Sequence, residues 1–360
     1  MKVAFISRAT LYTSPGGDTK QLEETAAGLR NMGVSVDVYL TNQQIDYTQY
    51  DLLHFFNIIR PADVIAHMKR SDKPCLVSTI FVEYGTVKEE GRGGIVGTIK
   101  KLIPESTFEY IKTIARALKN GEKIVSKEYL LWGHTKSTMY VAKHAKMLLP
   151  NSESEYRRFV AKYPVSTPYH VVPNGINTKN LENKYPENAD YKNAIICMGR
   201  IESRKNQLNL IRALNNTQYK LYIHGKPSPN NMAYFEQCKQ EAAANIHIGG
   251  HLDEEMLYTA YSNAKVHVLP SYFETTGLSS LEAAVMGCNI VVTDKGDTRD
   301  YFLNDAWYCE PDYVASIKEA IDKAFNAPYS QEFKKRILDS FTWKRAAEET
   351  YKAYANVLKL

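Results

Sequence analysis

The chain has 360 residues, enough for two ordinary domains that each bury a core. A hydrophobic share of 44% against 24% charged residues is that of a globular protein, and no apolar run approaches the ~18–20 residues of a membrane span. A net charge of +5 permits an anionic partner without demanding one, and no basic-aromatic stripe marks a nucleic-acid face.

Short runs rich in Val, Ile, Leu and Phe alternate with amphipathic stretches of helical length. "MKVAFISRAT" opens on a strand, Lys2–Ser7, rather than a signal peptide. A helix over Thr19–Asn31 and strands over Val34–Leu40 and Leu52–Phe56 follow. Next come a helix over Ala62–Lys69 and a strand over Pro74–Ile80. This is the β-α-β order of a doubly wound parallel sheet. The alternation lapses between about Phe81 and Trp132, then resumes with a strand at Lys146–Pro150, a helix at Ser154–Tyr163 and a strand at His170–Pro173. "VPNGIN" at 172–177 is turn chemistry and marks the domain junction. A second series places strands at Ala194–Met198, Lys220–His224, Asn245–Ile248, Val266–Leu269 and Ile290–Thr293. The expected domains are 1–175 and 176–342, with a last helix, about 343–360, packing back on the first. Five scattered cysteines without a C-x-x-C point to buried thiols, and the lack of H-E-x-x-H or D-x-D makes a protein-held metal unexpected.

Doubly wound sheets bind ligands beyond the carboxyl ends of their strands, so chemistry is sought just after each strand. Gly16-Gly17, after the first strand, allows close backbone approach to a ligand, and fits a plain flexible turn equally well. It lacks the G-x-G-x-x-G spacing of dinucleotide-dependent dehydrogenases. In "CMGRIESRKNQ", Arg200 and Lys205 flank a strand-to-helix turn, a pairing suited to a diphosphate, although solvated surface charges are the usual fate of such residues. In "VLPSYFETTGLSSLEAAVMG", Glu274 precedes a helix start and Glu282 lies inside the helix, on the face of Leu278. Amides near Thr276, Gly277 and Leu278 suit phosphate, and either carboxylate can accept from paired hydroxyls. An acidic loop beside a solvated helix Glu fits the same spacing.

These segments, with "PGGDTKQLEE", "LLPNSESEYRRF" and "VVPNGIN", resemble the retaining glycosyltransferases of family 4, glycosyltransferase group 1, over nearly the whole chain outside residues 81–135. The resemblance implies an α/β GT-B fold, two Rossmann-like domains facing each other across a cleft. It implies an N-terminal acceptor domain and a C-terminal domain that binds a nucleotide-diphosphate sugar, a UDP-sugar being favoured, with no other cofactor and no metal. Glu274 then matches the acid that contacts donor-sugar hydroxyls, and Glu282 the one that holds the ribose. Arg200 and Lys205 match the pair that neutralises the diphosphate, while Gly16 and Gly17 match the glycine loop beside it. The implied activity is retaining hexosyl transfer to a glycan or lipid-linked acceptor in cell-surface polysaccharide or glycoconjugate biosynthesis. Many relatives carry a His after the fourth strand. Here "STIFVEYGT" has none, and Glu83 is the nearest polar candidate for an acceptor contact. Two other readings are a non-catalytic sugar-nucleotide-binding subunit and a GT-B epimerase; nucleoside diphosphate release with and without acceptor separates all three.

From Lys88 to Lys146 basic residues outnumber acidic ones about two to one. Ile111, Ile114, Ala115 and Leu118 form one helical stripe beside Lys112, Arg116 and Lys119. Residues 95–127 therefore fit either an anionic membrane surface or an ordinary core-facing helix. The expected location is cytoplasmic, peripheral to the membrane if the stripe meets lipid.

Overall fold

The computed structural model describes residues 1–82, 105–120, 126–181 and 183–360, with backbone alone at 105 and 116–120. Glu83 and much of the 95–127 segment, including the side chains of Arg116, Leu118 and Lys119, lie outside these. The described chain forms two compact units. One comprises the described residues up to Asn174 together with Trp343–Leu360; the other is Gly175–Thr342.

In the first unit, β1 (Lys2–Ser7), β2 (Ser35–Leu40), β3 (Leu52–Phe56), β4 (Cys75–Ser78) and β5 (Met147–Leu149) make a parallel sheet of order β2-β1-β3-β4-β5. β3, β4 and β5 are buried along their whole length, which is why they read as unbroken apolar runs. The expected strand at His170–Pro173 is not one. Pro150 has no amide hydrogen to return to the His170 carbonyl, so the segment adds only an isolated bridge at Tyr169, with His170 and Val172 donating to the carbonyls of Leu148 and Pro150 at 3.0 and 2.9 Å. The final helix, Trp343–Leu358, belongs to this unit. Fully buried His54 on β3 is the tie: its Nδ1 lies 2.6 Å from the Tyr354 hydroxyl and its Nε2 2.8 Å from Ser78 Oγ.

In the irregular stretch the structure has helices at Glu105–Asn120 and Lys127–His144. Ile111 is half-exposed, Ile114 partly buried, and Lys112 pairs with Glu109 at 2.9 Å. Among the described residues no helix is long and apolar enough to cross a membrane.

In the second unit, β6 (Ile195–Met198), β7 (Leu221–His224), β8 (Ile246–Gly249), β9 (Val266–Leu269), β10 (Asn289–Thr293) and β11 (Trp307–Cys309) form a parallel sheet of order β11-β10-β9-β6-β7-β8. The chain runs outward from β6 through β7 to β8, then returns to β9 on the other side. The order reverses between β6 and β9, and a ligand crevice belongs beyond their carboxyl ends. β1 and β3 flank the corresponding point of the first unit.

Candidate functional site

Both strands that flank the reversal in the second unit end in the segments singled out by sequence. β6 runs into Gly199 and exposed Arg200, then a short 3-10 turn, Ser203–Lys205. Asn206 follows at φ 59°, a left-handed conformation that Asn tolerates better than most residues, and starts the helix Gln207–Leu214. Its side-chain amide donates to the carbonyls of Pro270 and Pro311 at 3.0 and 2.8 Å, pinning the cationic turn to the end of β9.

Two further contacts fasten the same segments. The Tyr272 amide donates to the Arg204 carbonyl at 2.9 Å, and the Arg204 guanidinium to the Phe273 carbonyl at 3.0 Å. Lys205 Nζ then lies 2.5 Å from Glu274 Oε2, which also accepts from Ser271 Oγ at 3.1 Å. Both side chains are largely buried, 14% exposed for Lys205 and 9% for Glu274. Burial by itself would raise the Glu274 carboxyl. The charges of Lys205 and Arg204, with the hydrogen bonds from Lys205 and Ser271, outweigh it and hold the carboxyl below its ordinary range.

The Glu274 backbone is held too. Its amide donates to the Lys295 carbonyl at 3.1 Å, and its carbonyl accepts from the Asp297 amide at 2.9 Å. Between them stands Gly296 at φ 105°, so close that an added Cβ would fall 2.0 Å from the Glu274 carbonyl oxygen. Gly277, at φ 73°, turns the chain into the helix Leu278–Met286 and accepts from the Ser280 and Leu281 amides at 2.8 and 3.1 Å. Thr276 is buried before it, and the first-turn amides follow. Glu282 lies one turn in, 8% exposed. Burial, and next the Glu282 charge, hold the Tyr261 phenol well above its usual value.

The structure thus brings Lys205 and Glu274 into contact and sets Thr276, Gly277, Leu278 and Glu282 directly after them. Arg200 stays on the exposed side of the turn, with no side-chain hydrogen bond or ion pair among the described residues. Gly16 and Gly17 sit in the other unit, after β1, and Gly17 begins the helix Gly17–Asn31. Their loop is gathered by Arg8, which bonds Asp18 at 2.6 and 3.0 Å and the carbonyls of Thr10 and Ser14 at 2.8 Å. Sequence reading missed Arg204, Ser271 and Asn206. Adjacency to Lys205 was the only local signal for Arg204, and nothing marked the other two.

Residues 178–338 match the family model described as Glycosyl transferases group 1. The chain is 26% identical over 172 residues to a glycogen synthase of Mycobacterium tuberculosis, a match covering 44% of this chain and 42% of that protein, so less than half of the relative is spanned. In fold it is similar to sucrose-phosphate synthase from Thermosynechococcus elongatus, with TM-score 0.73 and 16% identity over 100% of this chain and 99% of that one. It is also similar to HepE of Anabaena, solved in complex with UDP, with TM-score 0.71 and 12% identity over 99% and 100%. The fold is GT-B, built of two Rossmann-like α/β domains. Within it residues 178–338 form a glycosyltransferase group 1 domain, which contains Arg200, Lys205, Glu274 and Glu282.

Proposed function

We propose that the protein is a retaining, metal-independent hexosyltransferase that takes its sugar from a nucleotide diphosphate, UDP being favoured, and passes it to a glycan or lipid-linked acceptor. The observation that carries this reading is the Lys205–Glu274 pair at the strand reversal, beside a helix start. An ammonium has three donors, so Lys205 can bond Glu274 and still present hydrogens to a diphosphate. Exposed Arg200 supplies a second cation from the same turn. As the glycosidic bond breaks, charge grows on the leaving diphosphate, and these cations with the first-turn amides stabilise it. That leaving phosphate takes the acceptor proton on the same face. The Glu274 carboxylate accepts from the sugar hydroxyls and Glu282 from the ribose. HepE, solved with UDP, supports a nucleotide donor.

Calorimetric titration with UDP, GDP and ADP and their sugars tests the assignment. Glu282→Ala is expected to weaken nucleoside diphosphate binding about ten- to a hundredfold, the worth of a hydrogen bond to a charged group. Glu274→Ala is expected to spare that affinity and damage transfer. Equal loss of nucleotide affinity in both variants would mean the two roles are misassigned, and no binding of any of the three nucleotides by the wild type would overturn the reading.

A membrane-embedded acceptor has separate support. Leu130 and Leu131 are 45% and 83% exposed, one turn from exposed Lys127, and the Tyr110 hydroxyl donates to the Leu130 carbonyl at 2.9 Å, next to half-exposed Ile111. An apolar face beside an exposed lysine is compatible with an anionic membrane surface. Leu130→Ser/Leu131→Ser is expected to abolish sedimentation with anionic vesicles while leaving the melting temperature nearly unchanged. Unaltered sedimentation would place any membrane contact elsewhere.

A further inference from the structure

β6 and β9 pair only through Ile195 with Val266 and Ile196 with His267, after which they part. The amides of Ile195 and Gly199 donate towards β7, to the carbonyls of Lys220 and His224, so the Met198 amide faces the β9 side, where the strands have separated. A buried amide left there without a partner would keep its full desolvation cost. The His267 ring takes the place of the missing strand carbonyl: its Nε2 accepts from the Met198 amide at 3.4 Å. Its Nδ1 lies 3.1 Å from Ser280 Oγ, in the first turn of the Leu278–Met286 helix. His267 and Ser280 are both fully buried. Burial pushes the imidazole down to about 3, so the ring is neutral. With Nε2 accepting, the hydrogen sits on Nδ1 and is donated to Ser280.

We infer that His267 is a positioning residue for the donor site, a two-ended strut fixing the end of β6, and with it the Gly199–Lys205 turn, relative to the helix start at Gly277–Ser280. The inference rests on the functional reading above. The two segments it joins supply cations from one side and amides from the other, and a diphosphate gripped by both is sensitive to their spacing, since misplacement by about 1 Å can cost on the order of a hundredfold in rate. A histidine that merely fills the core would leave that spacing unaffected when its hydrogen bonds are removed at constant volume.

The experiment measures UDP, GDP and ADP affinity and thermal stability in His267→Phe, Ser280→Ala, the double variant and His267→Asn. Ser280→Ala removes a single hydroxyl and is expected to fold normally. It and His267→Phe are each expected to weaken nucleotide binding about tenfold. The double variant is expected to lose about tenfold too, because both changes break one strut. His267→Asn, which can keep a donor near the Nδ1 position but has nothing at the Nε2 position, is expected to lose about tenfold as well, and wild-type affinity there would show that the Met198 end carries nothing. Wild-type affinity in Ser280→Ala overturns the inference, as does full additivity in the double variant. If His267→Phe does not fold, Ser280→Ala and His267→Asn decide alone. Failure of the wild type to bind any of the three nucleotides would overturn the functional reading itself, whereas binding unaffected by Ser280→Ala removes only the strut.

Discussion

Lys205→Ala is expected to lower kcat about 10²–10³-fold and also to destabilise the second unit by about 3–5 kcal/mol. The two losses have different origins. Turnover falls because a preorganised cation is missing from the leaving diphosphate. Stability falls because Glu274, 9% exposed, keeps its burial and loses its nearest counter-charge. Adding Glu274→Gln removes the stranded charge, so the double variant is expected to regain most of the stability and none of the turnover. Urea unfolding of the three proteins beside steady-state rates reads both effects. The pH dependence has a definite sign. The folded carboxyl lies below its ordinary 4.5, so the pair's contribution is present above that pH and is lost as pH falls through the folded value. A Lys205→Ala protein as stable as wild type would show that the contact carries no energy.

Gly296→Ala, one methyl group, is expected to be nearly as damaging. An Ala at φ 105° costs about 1–2 kcal/mol in backbone strain, and forcing a group into packed surroundings costs about 1–3 kcal/mol more. The collision is with backbone, at 2.0 Å from the Glu274 carbonyl oxygen and 3.1 Å from its amide nitrogen, so relief comes only by moving Glu274. Transfer is therefore expected to fall at least about tenfold at temperatures where the variant is fully folded. Denaturation curves establish the folded fraction, and donor turnover is then measured below the transition. Undiminished turnover in the folded variant would show that the 294–297 loop yields without displacing the carboxylate.

The sheets were readable because central strands of a parallel sheet are buried on both faces, so β3, β6 and β9 stand out as apolar runs and differ from expectation by at most a residue at their ends. β11 was missed because Trp307–Cys309 is three residues long and carries no such run. The last stretch before the junction failed for a different reason: its amides do donate to the neighbouring strand, but Pro150 opposite them has no hydrogen to donate back. At the site, position after a strand drew attention to Arg200, Lys205 and Glu274, whereas the roles given to them and to Glu282 came from the family resemblance. Which of them touch was not readable. Lys205 and Glu274 are 69 residues apart, and their meeting follows from β9 lying beside β6, a fact of strand order rather than local pattern. His267 was hidden for the same reason. Inside "VHVL" it occupies one position of a buried strand, and its role appears only once the neighbouring strand diverges from it.

The helix Trp343–Leu358 has a consequence for how the molecule comes into being. It closes the first unit through Tyr354, His54 and Ser78, yet it leaves the ribosome only after the whole of Gly175–Thr342. During synthesis the N-terminal sheet must wait for its last structural piece with one face of β3 uncovered, while the later-born half already has every strand it needs. The usual order of nascent folding, first domain first, is thereby reversed at its final step. The half made second can be finished first, and the half made first is sealed by a helix that follows both.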